Sequence, residues 1–148
     1  MYKILILYGT VSGNSEYCSY DLEKEIKKIK IDVLVQNMDS YEHNKLTNEY
    51  LVLIITSTYG DGDPPEDAQD FLEYLNNTRP NLKNVNFAVC ALGDTMYPNF
   101  AKTGKDFDHI FEKLGATRII KRTDCDANFQ IQFDEFKKNI LNYIKNNL

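Results

Sequence analysis

Tryptophan is absent from the 148 residues, histidine occurs twice and cysteine only three times. Cys18, Cys90 and Cys125 form no CxxC pair and are odd in number, so neither a disulfide framework nor a zinc site is indicated. Buried or incidental thiols are the expectation. His43 and His109 are too few and too isolated to suggest a metal centre. No apolar run approaches the roughly 18 residues of a membrane span. Lys3 leads at once into a strand-like run, where a secretory leader would continue as a longer apolar stretch. A cytoplasmic monomer without membrane attachment is therefore expected. The net charge of −5 leaves no basic face for nucleic acid. It suits the docking of basic protein partners.

What is present is a regular alternation of strand and helix signals. Tyr2–Tyr8 is an apolar strand run, followed by helical spacing at Cys18, Leu22, Ile26 and Ile29. Ile31–Val35 reads as a second strand and Leu51–Thr56 as a third, apolar on both faces. Ala68, Phe71, Leu72 and Leu75 then mark a helix, with Asp63 as its expected cap, Pro64 at the first position and Glu66 completing a capping box. Val85–Leu92 is a fourth strand. Phe107, Ile110, Phe111 and Leu114 form a helical stripe stopped at Gly115. Thr117–Lys121 is a fifth strand, and Phe133, Phe136, Ile140, Tyr143 and Ile144 line a closing helix. Five βα units without repeats or linkers predict one domain over residues 1–148. Its fold class is α/β: a doubly wound, five-stranded parallel sheet with helices on both faces and strand order 2-1-3-4-5. Ligands of such sheets bind beyond the carboxyl ends of the strands, so the loops after strands one, three and four should carry the chemistry.

The first of these loops runs Thr10, Val11, Ser12, Gly13, Asn14, Ser15 and opens a helix. Free amides and the positive end of the helix dipole attract phosphate there. The hydroxyls and the Asn14 amide add donors, and Gly13 lets the backbone approach closely. The loop has no lysine, which excludes a Walker A loop, and no G-x-G-x-x-G, which argues against a dinucleotide. One terminal phosphate monoester fits. Taken alone, the loop fits an ordinary Ser/Thr-capped helix equally well. The second loop is Ser57, Thr58, Tyr59, Gly60, Asp61, Gly62, Asp63, and the third runs Leu92, Gly93, Asp94, Thr95, Met96, Tyr97, Pro98, Asn99, Phe100. Each places a tyrosine near a strand tip, and two tyrosines across a cleft make a slot for a planar ring. Surface tyrosines in turns are the plainer alternative. The co-occurrence of three such loops at one edge of one sheet favours a ligand.

The strings TVSGNSE, STYGDGDPPEDAQDFLEYL and ALGDTMYPNFAKTGKDFDHIFEKLGATRI resemble the FMN-binding domain of diflavin reductases, of the sulfite reductase flavoprotein and cytochrome reductase type, and short single-domain flavodoxin relatives. The resemblance spans essentially the whole chain and implies a flavodoxin-like fold with FMN as cofactor. It implies that Thr10, Val11, Ser12, Gly13, Asn14 and Ser15 hold the phosphate and that Tyr59 and Tyr97 stack on opposite faces of the isoalloxazine. It further implies that Ser57, Thr58, Gly60, Gly62, Leu92, Gly93, Asp94, Asn99 and Phe100 line the ring and ribityl chain, with Asp126 near the flavin. Gly60 is expected to permit a peptide orientation with positive φ facing the ring. Asp61 and Asp63 are expected near the ring, and Glu66 and Asp67 are read as serving the helix dipole.

The function this implies is electron transfer, one electron at a time, from a separate NAD(P)H-dependent flavoprotein reductase to an acceptor such as a haem or iron-sulfur enzyme. An FMN-dependent NAD(P)H:quinone oxidoreductase is the alternative enzyme, although no insertion shapes a substrate pocket. A third reading is the FMN domain of a larger diflavin reductase. A receiver domain is disfavoured, because Thr56-Ser57-Thr58 stands where its phosphoacceptor Asp would be.

Overall fold

The computed structural model describes residues 1–148. In chain order the elements are β1 (Ile4–Gly9), α1 (Asn14–Lys28), β2 (Val33–Asn37), a short 3₁₀ helix (His43–Asn48), β3 (Leu51–Thr56), α2 (Glu66–Thr78), β4 (Asn86–Leu92), α3 (Lys102–Lys113), β5 (Thr117–Arg118), β6 (Thr123–Cys125) and α4 (Gln130–Asn147). The sheet is parallel throughout, in the order β2-β1-β3-β4-β5, with β6 pairing β4 further along the same edge. The expected order holds.

Alternation along each strand divides the core between the two faces of the sheet. Leu5, Leu7, Val52, Ile54, Phe87 and Val89 face α2 and α3, where Phe71, Phe107 and Phe111 pack as an aromatic cluster. Ile4, Ile6, Leu53, Ile55, Ala88 and Cys90 face α1 and α4. Every residue of β1 and β3 is buried, which is why both read as unbroken apolar runs. All three cysteines are free and buried, Cys90 and Cys125 with their sulfurs 3.6 Å apart.

Four expectations need correction. The first strand runs Ile4–Gly9, where Tyr2–Tyr8 was expected. The second strand begins two residues later than the apolar pattern suggested, at Val33. Asp63 does not cap α2; that helix begins at Glu66 behind Pro65, with no side-chain cap. The backbone of Asp63 is instead bridged to Tyr59, N–H to carbonyl in both directions at 2.7 and 3.0 Å. The fifth strand is broken between Arg118 and Thr123. Ile119 and Ile120 both pack on the α1/α4 side, which consecutive residues of a pleated strand cannot do. Arg118 and Arg122 flank this break and both donate to the buried carboxylate of Asp108, at 2.9 and 3.0 Å.

The stop at Gly115 is as expected: its N–H reaches the Glu112 carbonyl, and that of Ala116 reaches Phe111. Helix α2 ends differently, with Arg79 left-handed at φ 51°. Its side chain is exposed and enters no ion pair. Arg79→Gly is therefore expected to raise stability by about 0.5–1 kcal/mol, since glycine carries no Cβ penalty in this conformation. Urea denaturation checks it, and an unchanged midpoint would count against strain at this position.

Candidate functional site

A cleft of about 710 Å³ opens where the carboxyl ends of β1, β3 and β4 meet, next to the β6–α4 loop. This is a volume typical of small-ligand sites. Fourteen of the eighteen residues expected at the site line it: Val11, Ser12, Asn14, Ser57, Thr58, Tyr59, Gly60, Leu92, Gly93, Asp94, Tyr97, Asn99, Phe100 and Asp126. The other four, Thr10, Gly13, Ser15 and Gly62, are not among its lining residues. Gly62 is buried against the side chains of Asn99 and Lys102. Ser15 is fully buried and shares a 2.8 Å hydrogen bond with Ser57, tying the first loop to the second.

The first loop is shaped by its own backbone chemistry. Gly13 caps α1 with φ 92°, and its N–H donates to the Thr10 hydroxyl at 2.8 Å. Thr10 N–H in turn donates to the Asp67 carboxylate, 3.0 and 3.2 Å from its two oxygens. The amides of Val11, Ser12, Asn14, Ser15 and Glu16 meet no acceptor within the protein. Such a run of free donors at a helix start, without a basic side chain, fits a single phosphate group.

Behind the loop, Tyr8 donates to Glu16 at 2.9 Å, and burial, reinforced by that carboxylate, pushes its phenol well above the usual range. Tyr8 thus stays a donor.

The second and third loops are latched together. Asn99 donates through Nδ2 to the Asp61 carbonyl, Thr103 N–H donates to Thr58 Oγ1 at 3.1 Å, and Thr103 Oγ1 donates to the Asp63 carbonyl at 3.2 Å. Gly60 sits at φ 52° in the turn, with open space where a Cβ would be. Tyr59 and Tyr97 remain 58% and 48% exposed, rings that nothing in the protein covers fully. The cleft walls thus combine two accessible tyrosines with one amide-rich, lysine-free loop, and the residues present fit a planar ring that carries a phosphate.

Asp126 also lines the cleft, but its carboxylate is held by Thr95 N–H and hydroxyl, at 2.9 and 2.7 Å, and by Ala127 N–H at 2.8 Å. The Thr95 N–H and hydroxyl, with Ala127 behind them, hold its pKa below the usual carboxylate range. A carboxylate with a lowered folded-state pKa contributes stability above its unfolded value and loses it as pH falls through the folded one. The Asp94–Asn99 and Asp126–Phe129 loops should therefore stay joined down to a pH below ordinary carboxylate titration. In an NMR titration the Thr95 amide should shift with that low midpoint; a midpoint in the usual carboxylate range would refute the latch.

Ala101, Ala127 and Phe129 line the cleft without having been singled out in the sequence. The two alanines carry no chemical group that would mark them, and Phe129, though aromatic, stands outside the three loops read for ligand chemistry; Ala101 lies in a left-handed turn at φ 55°. Asp67 was legible only as a helix-start acid.

Residues 6–138 match the family described as flavodoxin. The chain belongs to the flavodoxin family. Its cofactor is FMN and its function class electron transfer. The chain is 37% identical over 147 residues to the sulfite reductase (NADPH) flavoprotein alpha-component of Vibrio parahaemolyticus, covering 99% of this chain and 24% of that protein. It is 42% identical over 136 residues to NADPH oxidoreductase A of Dictyostelium discoideum, covering 90% of this chain and 21% of that protein. It therefore spans about a quarter of the length of such flavodoxin-family relatives. A solved flavodoxin of Streptococcus pneumoniae superposes with a TM-score of 0.81 at 25% identity, over 92% of this chain and 93% of that one. No helix is long and apolar enough to cross a membrane.

Proposed function

We propose that this flavodoxin-family chain is a single-domain, monomeric, cytoplasmic carrier that holds one FMN in the cleft. It would take electrons singly from a separate NAD(P)H-dependent flavoprotein reductase and deliver them to a redox acceptor protein such as a haem or iron-sulfur enzyme. The observation that carries this reading is the convergence, in one cleft, of the free amides at Val11, Ser12 and Asn14 with the exposed rings of Tyr59 and Tyr97. The loop Thr10–Ser15 would hold the phosphate, Tyr59 and Tyr97 the two faces of the ring. Ser57, Thr58, Gly60, Leu92, Gly93, Asp94, Asn99 and Phe100 would line the ring and ribityl chain, with Gly62 supporting the second loop and Asp126 the third. When bound, FMN supplies one-electron and two-electron chemistry that the side chains of the chain do not.

The chain's own contribution is to hold the ring at the protein edge and to present negative charge around it. Asp61, Asp63, Glu66 and Asp70 are all exposed beside the second loop. They would steer basic partners toward the cleft. A second reading, favoured by the match to a quarter of each longer relative, is that the same domain serves within a larger diflavin protein.

The visible spectrum of the purified protein tests the main reading. Oxidised-flavin absorption, with FMN and neither FAD nor riboflavin released on denaturation, is expected. A colourless protein that takes up no added FMN would overturn it. Steady NADPH-to-quinone turnover by the protein alone would replace the carrier with a quinone oxidoreductase.

A further inference from the structure

The amide-rich loop is held from behind by a side chain that belongs to another helix. Asp67, in the first turn of α2, accepts Thr10 N–H on both carboxylate oxygens. It also accepts Asn37 Nδ2 at 2.7 Å. Asn37 ends β2 and lies opposite Tyr8 in the β1/β2 ladder, so its position is set by the sheet. Thr10 then passes the constraint on, because its hydroxyl accepts Gly13 N–H. A chain of hydrogen bonds therefore runs Asn37–Asp67–Thr10–Gly13, from the rigid edge of the sheet to the residue that caps α1.

This arrangement turns one amide inward and leaves its neighbours free. Were Thr10 N–H not engaged by Asp67, it would need another acceptor, and the turn from Thr10 to Gly13 would lose its anchor. Asp67 cannot itself bind an anion, since a carboxylate beside a phosphate is repulsive. Its benefit to an anion can come only through the shape it gives the loop. We propose that Asp67 is a positioning residue for the phosphate of the bound ligand, acting through Thr10 and Gly13 and not on the flavin ring. This rests on the reading of the cleft as an FMN site.

A merely structural residue would weaken every ligand of the cleft alike, whereas a phosphate-positioning residue discriminates. The test compares dissociation constants for FMN and for riboflavin, which has the same ring and no phosphate, on apo-protein by fluorescence quenching. Asp67→Ala should raise the FMN constant at least tenfold and leave the riboflavin constant within twofold. Asn37→Ala, which removes the outer support of Asp67 together with the bond that Asn37 Oδ1 accepts from Asp39 N–H at 2.8 Å, should move the same ratio in the same direction by about threefold. Equal weakening of both flavins, or no change in either, overturns the proposal. If Asp67→Ala does not fold, the Asn37→Ala ratio decides by the same criterion. If the unaltered protein binds neither flavin, the FMN reading itself fails, and inorganic phosphate becomes the probe. It should then raise the melting temperature of the unaltered chain and not that of Asn37→Ala or Asp67→Ala, and equal effects would overturn the positioning role.

Discussion

Gly104→Ala is expected to destabilise the protein by about 3 kcal/mol, although alanine is the better helix former by about 1 kcal/mol. Gly104 lies on α3, pressed onto β4. A Cβ built there would stand 2.1 Å from the Cβ of Ala91 and 2.8 Å from its Cα. Both obstructing atoms belong to the rigid centre of the sheet, so no flexible side-chain end can swing aside. Helix or strand must move instead, and close-packed cores resist such shifts. For a domain of this size the loss should read as a fall in melting temperature of roughly 6–12 °C. The displacement would also reach the cleft. The segment ahead of Gly104 carries Asn99 and Thr103, whose hydrogen bonds hold the second loop. FMN retention should fall together with stability. A variant that melts with the unaltered chain would show that α3 can ride away from β4 freely.

The same contact explains part of what could be read before the structure and part that could not. Continuous apolar runs at Tyr2–Tyr8 and Leu51–Thr56 identify the first and third strands, and burial of every residue of β1 and β3 is what removes the need for alternation. The stripe Phe133, Phe136, Ile140, Ile144 identifies α4 for the opposite reason, since one face of a helix is enough to bury it. Glycine at position 104, by contrast, falls in the first turn of α3 with no local signal of its purpose; only the distance to Ala91 gives one. The broken fifth strand was hidden for a similar reason. Thr117–Lys121 has good strand composition, and the break follows from Ile119 and Ile120 seeking the same core while Arg118 and Arg122 seek Asp108.

At the site, legibility follows chemical distinctiveness. Hydroxyls, glycines and tyrosines at strand tips announce a cleft, and most of them line it. Side chains that support the loops do not announce themselves. Asp67 reads as an acid answering a helix dipole until Thr10 N–H and Asn37 are seen to converge on it. Asp63 has the sequence of a helix cap, yet the turn from Tyr59 to Asp63 closes first and the helix starts after the second proline. Local pattern yields which residue types cluster; the partners of each group depend on contacts distant in sequence, such as Ser15 with Ser57.

Tyr97→Ala should weaken FMN binding by about five- to 150-fold, taking aromatic stacking at roughly 1–3 kcal/mol per ring, and Tyr59→Ala should do the same. Both rings line the cleft and remain about half exposed. Neither is part of either buried core cluster, so truncation should leave the apo-protein's melting temperature almost unchanged. That separates these variants from Gly104→Ala, where binding and stability fall together. Phenylalanine at either position keeps the face of the ring and should restore most of the affinity; the Tyr59 and Tyr97 hydroxyls donate no hydrogen bond within the protein. If the two rings cover opposite faces of one flavin, they share it as a partner, and a double-variant cycle should show a coupling of about 0.5–3 kcal/mol. Unchanged affinity in either single variant would remove that tyrosine from the stack and leave the ring to be held from one side only.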